Sequence, residues 1–182
     1  MRLASGSQKI GPIVDEVGAP AQLVYQMVAA IGQGPQRPGE RAEIIEREGD
    51  QLVVDFWTAV SFPLGRKRSV RTRELVRLRP PDRVEYTHLD GPVRGLVEAI
   101  TIEPMGERHC RLVYRATYPA AGLLRRLLFR LLTRPAIQQA MERHFDDVRE
   151  RAELRAARSR LFPGTPAGGV GIDAATESGH AR

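Results

Sequence analysis

The chain has 182 residues, 42% of them hydrophobic and 27% charged, with a formal net charge of +6; these proportions suit one globular domain with a sizeable core. One cysteine, Cys110, excludes an internal disulfide and any paired-cysteine metal site, and no apolar run has the length of a signal peptide or a membrane span, so a cytoplasmic protein is expected. The positive charge is nearly all arginine, since the lysines are Lys9 and Lys67 alone. That balance admits nucleic acid, anionic lipid or acidic ligands as partners, and it is equally the composition a GC-rich genome produces.

Residues 1–9 read as a short disordered lead. "GPIVDEVGAP" (11–20) reads as a brief strand stopped by Gly18 and Pro20, and proline is tolerated at the helix start that follows because its missing N–H would have no partner there. In "AQLVYQMVAAIG" (21–32), Leu23, Met27 and Ile31 stand four apart, one apolar stripe of a short helix. "GQGPQRPGE" (32–40) is a loop punctuated by Gly and Pro.

From Arg41 to Tyr118 the hydrophobic period becomes two. "RAEIIERE" and "QLVVDFWTAV" flank Gly49-Asp50, "RSVRTRELVRLR" and "RVEYTHLD" flank Pro80-Pro81-Asp82, and "GLVEAITIEP" and "CRLVYRATY" flank Gly106. Six consecutive strands on short turns predict an antiparallel meander.

The last ordered element is expected over 122–160. Leu124, Leu127, Leu128 and Leu131 have helical spacing, and after Pro135 the stripe resumes with Ile137, Met141, Phe145 and Val148. One long helix kinked or interrupted at Pro135 is expected, its apolar face covering the sheet. "LLRRLLFRLL" could alternatively lie on an anionic membrane, leucines inserted and arginines at the head groups, as a transient contact; the continuing stripe favours packing on the sheet. Residues 161–182 are small and polar, with too little apolar surface to offset the entropy of ordering them, and are expected to be a disordered tail.

"VGAPAQLVYQMVA" (17–29), "YTHLDGPVRGLVEAITIEP" (86–104) and "GLLRRLLFRLLTRPAIQQAMERHFDDVRERAE" (122–153), taken in this order, resemble the START-like or SRPBCC superfamily, most of all its bacterial polyketide cyclase/dehydrase and lipid-transport group. The resemblance implies an α+β helix-grip domain over residues 10–160. A curved seven-stranded antiparallel sheet would wrap around the long C-terminal helix, with a short N-terminal helical segment. It also implies a small hydrophobic ligand, a lipid or polyketide-like molecule, held by a carrier or sensor, or alternatively cyclised or dehydrated by an enzyme. One helix cannot fill the concavity of such a sheet, so a pocket should remain between them.

Register arithmetic locates candidate residues. A turn at Pro80-Pro81 sets Glu74 opposite His88, and puts Val70, Thr72, Glu74, Val76 and Leu78 on one face with Arg71, Arg73, Arg77 and Arg79 on the other, solvent, face. The next turns bring Tyr86 and His88 beside Leu96 and Glu98, and Ile100 and Ile102 against Leu112 and Tyr114. The inward face is then largely apolar, with a polar row of Glu74, His88 and Glu98 and the phenols of Tyr86 and Tyr114 nearby. A carboxylate beside an imidazole tunes it as a general base near neutral pH, and tyrosine can donate to a carbonyl. The expected catalytic set is His88 as base with Glu74 and Glu98. The expected ligand contacts are Thr72, Val76, Tyr86, Ile100, Leu112, Tyr114, Met141 and Phe145.

Carboxylate–histidine sets also bind iron or zinc, but three residues on separate strands advertise little pre-organisation, and neither metal nor cofactor is expected. His109 and Cys110 are adjacent and so point to opposite faces, and His144 beside Phe145 reads as a boundary residue. "RKRSVRTRELVRLR" invites a nucleic-acid reading, yet its arginines merely alternate on a strand. With only 5% aromatic residues, the chain lacks the stacking face such binding needs, so no nucleic acid is expected.

Overall fold

A computed structural model describes residues 7–33, 38–61, 67–120 and 122–161. Its strands are β1 (Ser7–Val17), β2 (Arg41–Glu48), β3 (Gln51–Ser61), β4 (Lys67–Arg79), β5 (Arg83–Asp90), β6 (Val97–Gly106) and β7 (His109–Pro119). Helix α1 (Ala21–Ala29) follows β1, and α2 (Leu123–Leu128), a π turn (Phe129–Thr133) and α3 (Arg134–Leu161) run on from β7. The six expected meander strands pair in sequence, and β1 closes onto β7 to give the order β1-β7-β6-β5-β4-β3-β2, every pairing antiparallel. This is the expected α+β helix-grip architecture.

The core lies between the concave face of the sheet and the helices. Leu52, Val54, Val76, Val84, Ile100, Leu112 and Tyr114 come from the strands, and Val24, Val28, Phe145, Val148 and Ala152 from α1 and α3, all buried. Two polar stitches fix α3 against β1: Arg149 Nη1 donates to Asp15 Oδ2 at 2.6 Å, and the Gly18 N–H donates to Glu153 Oε1 at 2.9 Å. The arginine face of β4 is the convex face, as expected, but it is more than a solvated surface. Arg73 and Arg71 both clamp Asp55 of β3, which is 4% exposed. Their hydrogen bonds and charges hold its carboxyl far below the usual range against the opposing effect of burial.

Three expectations need correction. Strand β1 begins at Ser7, paired with Pro119, so residues 7–9 belong to the sheet rather than to a disordered lead. A strand added at an edge is held by main-chain bonds, which polar side chains such as Gln8 and Lys9 do not reveal. In α1 the buried line is Val24 and Val28, continued by Ile31, while Leu23 and Met27 are half-buried on its flank. The expected tail lies outside the described residues, apart from Leu161, which ends α3.

The third correction is the largest. The leucines of α2 and the π turn do not cover the sheet: Leu124 is 70% exposed and Leu131 63%. The residue of this segment that packs inward is Phe129, 2% exposed and stacked on Tyr118 with ring centroids 4.6 Å apart. The helix is interrupted by the π turn Phe129–Thr133, just before the expected break at Pro135, which itself lies in the first turn of α3; Phe129 opens the π turn. Helical spacing identifies residues that share a face and leaves open which face turns inward.

Phe129→Ala should therefore cost about 3 kcal/mol, the usual result of emptying a buried aromatic site, and lower Tm by roughly 6–12 °C for a domain of this size. Leu131→Ala should change stability by less than about 0.5 kcal/mol, as surface substitutions do. Thermal unfolding of the two variants side by side checks the assignment.

Candidate functional site

Strand β5 delivers His88 to the concave face and is tied there by its own turn. The "GPVRG" segment folds back so that the His88 N–H donates to Leu96 O and the Gly95 N–H donates to His88 O, both at 2.9 Å. Gly91 opens this turn with φ +107°, and a Cβ there would lie 2.9 Å from Arg71 O, so only glycine fits. The pairings are those the sequence predicts: Glu74↔His88, Tyr86↔Glu98, Ile100↔Tyr114 and Ile102↔Leu112. A β-bulge lies immediately beyond the site, because Arg73 pairs with Asp90 rather than Leu89.

Three strands thus bring Glu74, His88 and Glu98 together. His88 Nε2 lies 2.8 Å from Glu98 Oε1, and Nδ1 lies 3.3 Å from Glu74 Oε1. Thr72 Oγ1 donates to Glu74 Oε1 at 2.6 Å, and the Tyr114 hydroxyl donates to Glu98 Oε2. Burial pushes the Glu74 carboxyl up to about 7; the nearby His88 charge pulls it down and Glu98 pushes it further up. For His88, burial favours the neutral ring, but the hydrogen bond to Glu98 and the charges of both carboxylates outweigh it and raise its pKa. The phenols of Tyr86 and Tyr114 are raised too, by burial first and then by the carboxylates, and so keep their protons as donors.

A cavity of about 360 Å³ lies between this part of the sheet and α3. Of the expected residues, Glu74, Glu98, Tyr86, Ile100 and Met141 line it. His88 does not: it is 7% exposed, with a carboxylate beside each ring nitrogen. The expected orientation of His88 into the cavity is not seen; of the three cluster residues, Glu74 and Glu98 are the ones in the lining. Thr72 and Tyr114 stand behind them as hydrogen-bond donors, while Val76, Leu112 and Phe145 are core residues outside the lining.

Sequence reasoning missed His144. It lines the cavity from α3, facing the sheet residues, and its pKa is lowered by burial and then by Arg151. The signal was available, because His144 continues the Met141 side of the helix at a spacing of three.

The ligand atoms of Glu74, His88 and Glu98 all lie within 4.8 Å of one another, close enough to hold a metal ion. Adjacent strands thus supply the pre-organisation that the linear sequence did not advertise. Both imidazole nitrogens already face carboxylates, however, so a metal ion would have to displace the proton between His88 and Glu98.

A curved seven-stranded antiparallel sheet gripping a long C-terminal helix defines the helix-grip, START-like fold. The chain belongs to the polyketide cyclase/dehydrase and lipid transport family, whose model matches residues 14–153. Among solved structures it is similar to the protein TTHA0849 from Thermus thermophilus, at 20% identity and TM-score 0.65, covering 82% of this chain and 99% of that one. It is also similar to the Zhui aromatase/cyclase from Streptomyces sp. R1128, at 22% identity and TM-score 0.60, covering 90% and 99%. A START superfamily protein from Mycobacterium smegmatis matches at 17% identity and TM-score 0.56, covering 84% and 97%. No curated protein sequence matches the chain.

Glu74 binds its proton more tightly in the folded chain than in the unfolded one. Its contribution to stability is complete below pH 4.5 and is lost as pH rises towards about 7. His88, also raised, adds a loss of the same sign above 6.5. Glu74→Gln should remove the first part, so that the variant gains Tm on the parent steadily from pH 4.5 to 7. A Tm difference that stays constant over that range is the contrary outcome.

Proposed function

We propose that the cavity takes a small hydrophobic ligand bearing carbonyl groups, lipid or polyketide-like, and that the chain acts on it as a cyclase/dehydratase with Glu74 as the proton-transfer group. One observation carries the reading: a buried carboxyl that titrates near neutral pH faces a cavity of ligand size. Both oxygens of Glu98 are engaged, Oε1 with His88 Nε2 at 2.8 Å and Oε2 by the Tyr114 hydroxyl. Glu74 is then the member of the cluster free to gain and lose a proton.

The chemistry balances as follows. Glu74, as carboxylate, removes a proton from a carbon flanked by carbonyls, and the electron pair enters an enolate whose oxygen accepts a hydrogen bond from the Tyr86 hydroxyl. The enolate carbon bonds to a second carbonyl carbon of the same ligand, and Glu74 returns its proton to the alkoxide formed. A second proton removal at the adjacent carbon expels the hydroxyl, which leaves as water with the proton from Glu74. The apolar lining from Met27, Ile31, Ile100 and Met141 would hold the rest of the ligand. The fold likeness to an aromatase/cyclase supports the reading at the level of architecture.

The second reading, a carrier or sensor of the same kind of ligand, rests on the cavity and its apolar walls. It gives the buried cluster no task beyond orienting a polar group.

Mass spectrometry of molecules that co-purify with the chain identifies the ligand class, and a linear β-polyketone thioester serves as test substrate. Glu74→Gln should lower turnover by about 100-fold or more while saturable binding of an apolar fluorescent dye stays within about twofold. Dye binding without turnover in the parent would leave the carrier; absence of saturable binding would sink both readings.

A further inference from the structure

The segment "GLLRRLLFRLLTR" (122–134) is turned the opposite way from a helix that serves a core. Leu123, Leu124, Leu127, Leu128, Leu131 and Leu132 are between 48% and 85% exposed, while Phe129 alone among the large apolar residues here is buried. Single exposed leucines are ordinary. Six within ten consecutive helical residues, neighbours at spacings of three and four, form a patch of the kind that marks a partner.

The surroundings of the patch indicate the chemistry of that partner. Arg125, Arg126, Arg130 and Arg134 are interleaved with the leucines, and no Asp or Glu occurs between Pro119 and Met141. A second copy of the chain meeting this face about a two-fold axis would bring its own arginines against these, with no carboxylate in the segment to pair them. An anionic lipid surface matches both features, taking leucines among its acyl chains and arginines on its phosphates. Among the described residues no helix is long and apolar enough to cross a membrane, so the fitting geometry is a helix lying in the surface.

We propose that residues 123–134 dock the chain reversibly on anionic membranes, with Phe129 as the anchor that holds the leucine face outward. The inference is independent of whether the cavity is catalytic.

Flotation of the full chain with vesicles tests it, using phosphatidylcholine alone and phosphatidylcholine mixed with phosphatidylglycerol. The chain should float with the anionic vesicles about tenfold more strongly than with the neutral ones, and lose that preference at high salt. The pair Leu124→Ser and Leu131→Ser should weaken flotation by about tenfold or more with Tm unchanged. The pair Arg125→Glu and Arg130→Glu should abolish the anionic preference. Failure of the parent to float with either vesicle would overturn the proposal. So would a marked loss of Tm in the leucine pair, which would assign the leucines to packing within the chain. Self-association that the leucine pair removes, without vesicle binding, would assign the face to a second copy.

Discussion

An unpartnered carboxylate carried into a protein interior costs several kcal/mol, and the concave face of this sheet carries two, 6% exposed at Glu74 and partly buried at Glu98. What makes that tolerable is the imidazole of His88, set by β5 between them with a nitrogen towards each. Tyr114 and Thr72 satisfy further lone pairs. Remove the histidine and two like charges would face each other across an apolar layer; remove either acid and a charged ring would lose a counter-ion. The cluster is viable as a unit, and its strands must keep their pairing for it to exist.

The two faces of the same strands use charge differently. On the convex face Asp55 is clamped by two arginines whose own side chains reach solvent, which fixes its ionisation and ties β3 to β4. On the concave face two acids share one imidazole, and burial, helped by the charge of Glu98 and opposed by that of His88, pushes the Glu74 carboxyl up to about 7. A carboxylate is thus a fixed stitch on one side, while on the other burial raises its pKa. The difference lies in the two arginine hydrogen bonds at Asp55, which outweigh its burial, where at Glu74 burial prevails.

Much of this is legible in the sequence. Strands of period two joined by Gly49-Asp50, Pro80-Pro81 and Gly106 predict their own pairing, and the pairing brings Glu74, His88 and Glu98 together by counting alone. Counting does not reveal depth. It cannot show that His88 ends outside the cavity lining, since that depends on how the curved sheet meets α3. His144, by contrast, is within reach of counting, since it follows Met141, an expected contact, at a spacing of three. The leucine segment defeats counting: periodicity groups residues on a stripe, and a single aromatic, Phe129, against Tyr118 decides the orientation of that stripe. The pairing of Ser7–Lys9 is hidden because main-chain bonds at a sheet edge leave no mark on side-chain pattern.

The bulge beside Glu74 bears on how relatives of this chain should be aligned. On the near side of it, Glu74 opposes His88; one residue further, the count has slipped and Arg73 opposes Asp90. An insertion or deletion of a single residue between positions 74 and 88 on the site's side of the bulge would turn the imidazole to the convex face, whereas the same change beyond Leu89 can be absorbed where the ladder is already irregular. Homologous acids and histidines therefore correspond only when the parity of the intervening segment is preserved, and two chains alike in composition here but differing by an odd number of residues would share a fold without sharing this cluster.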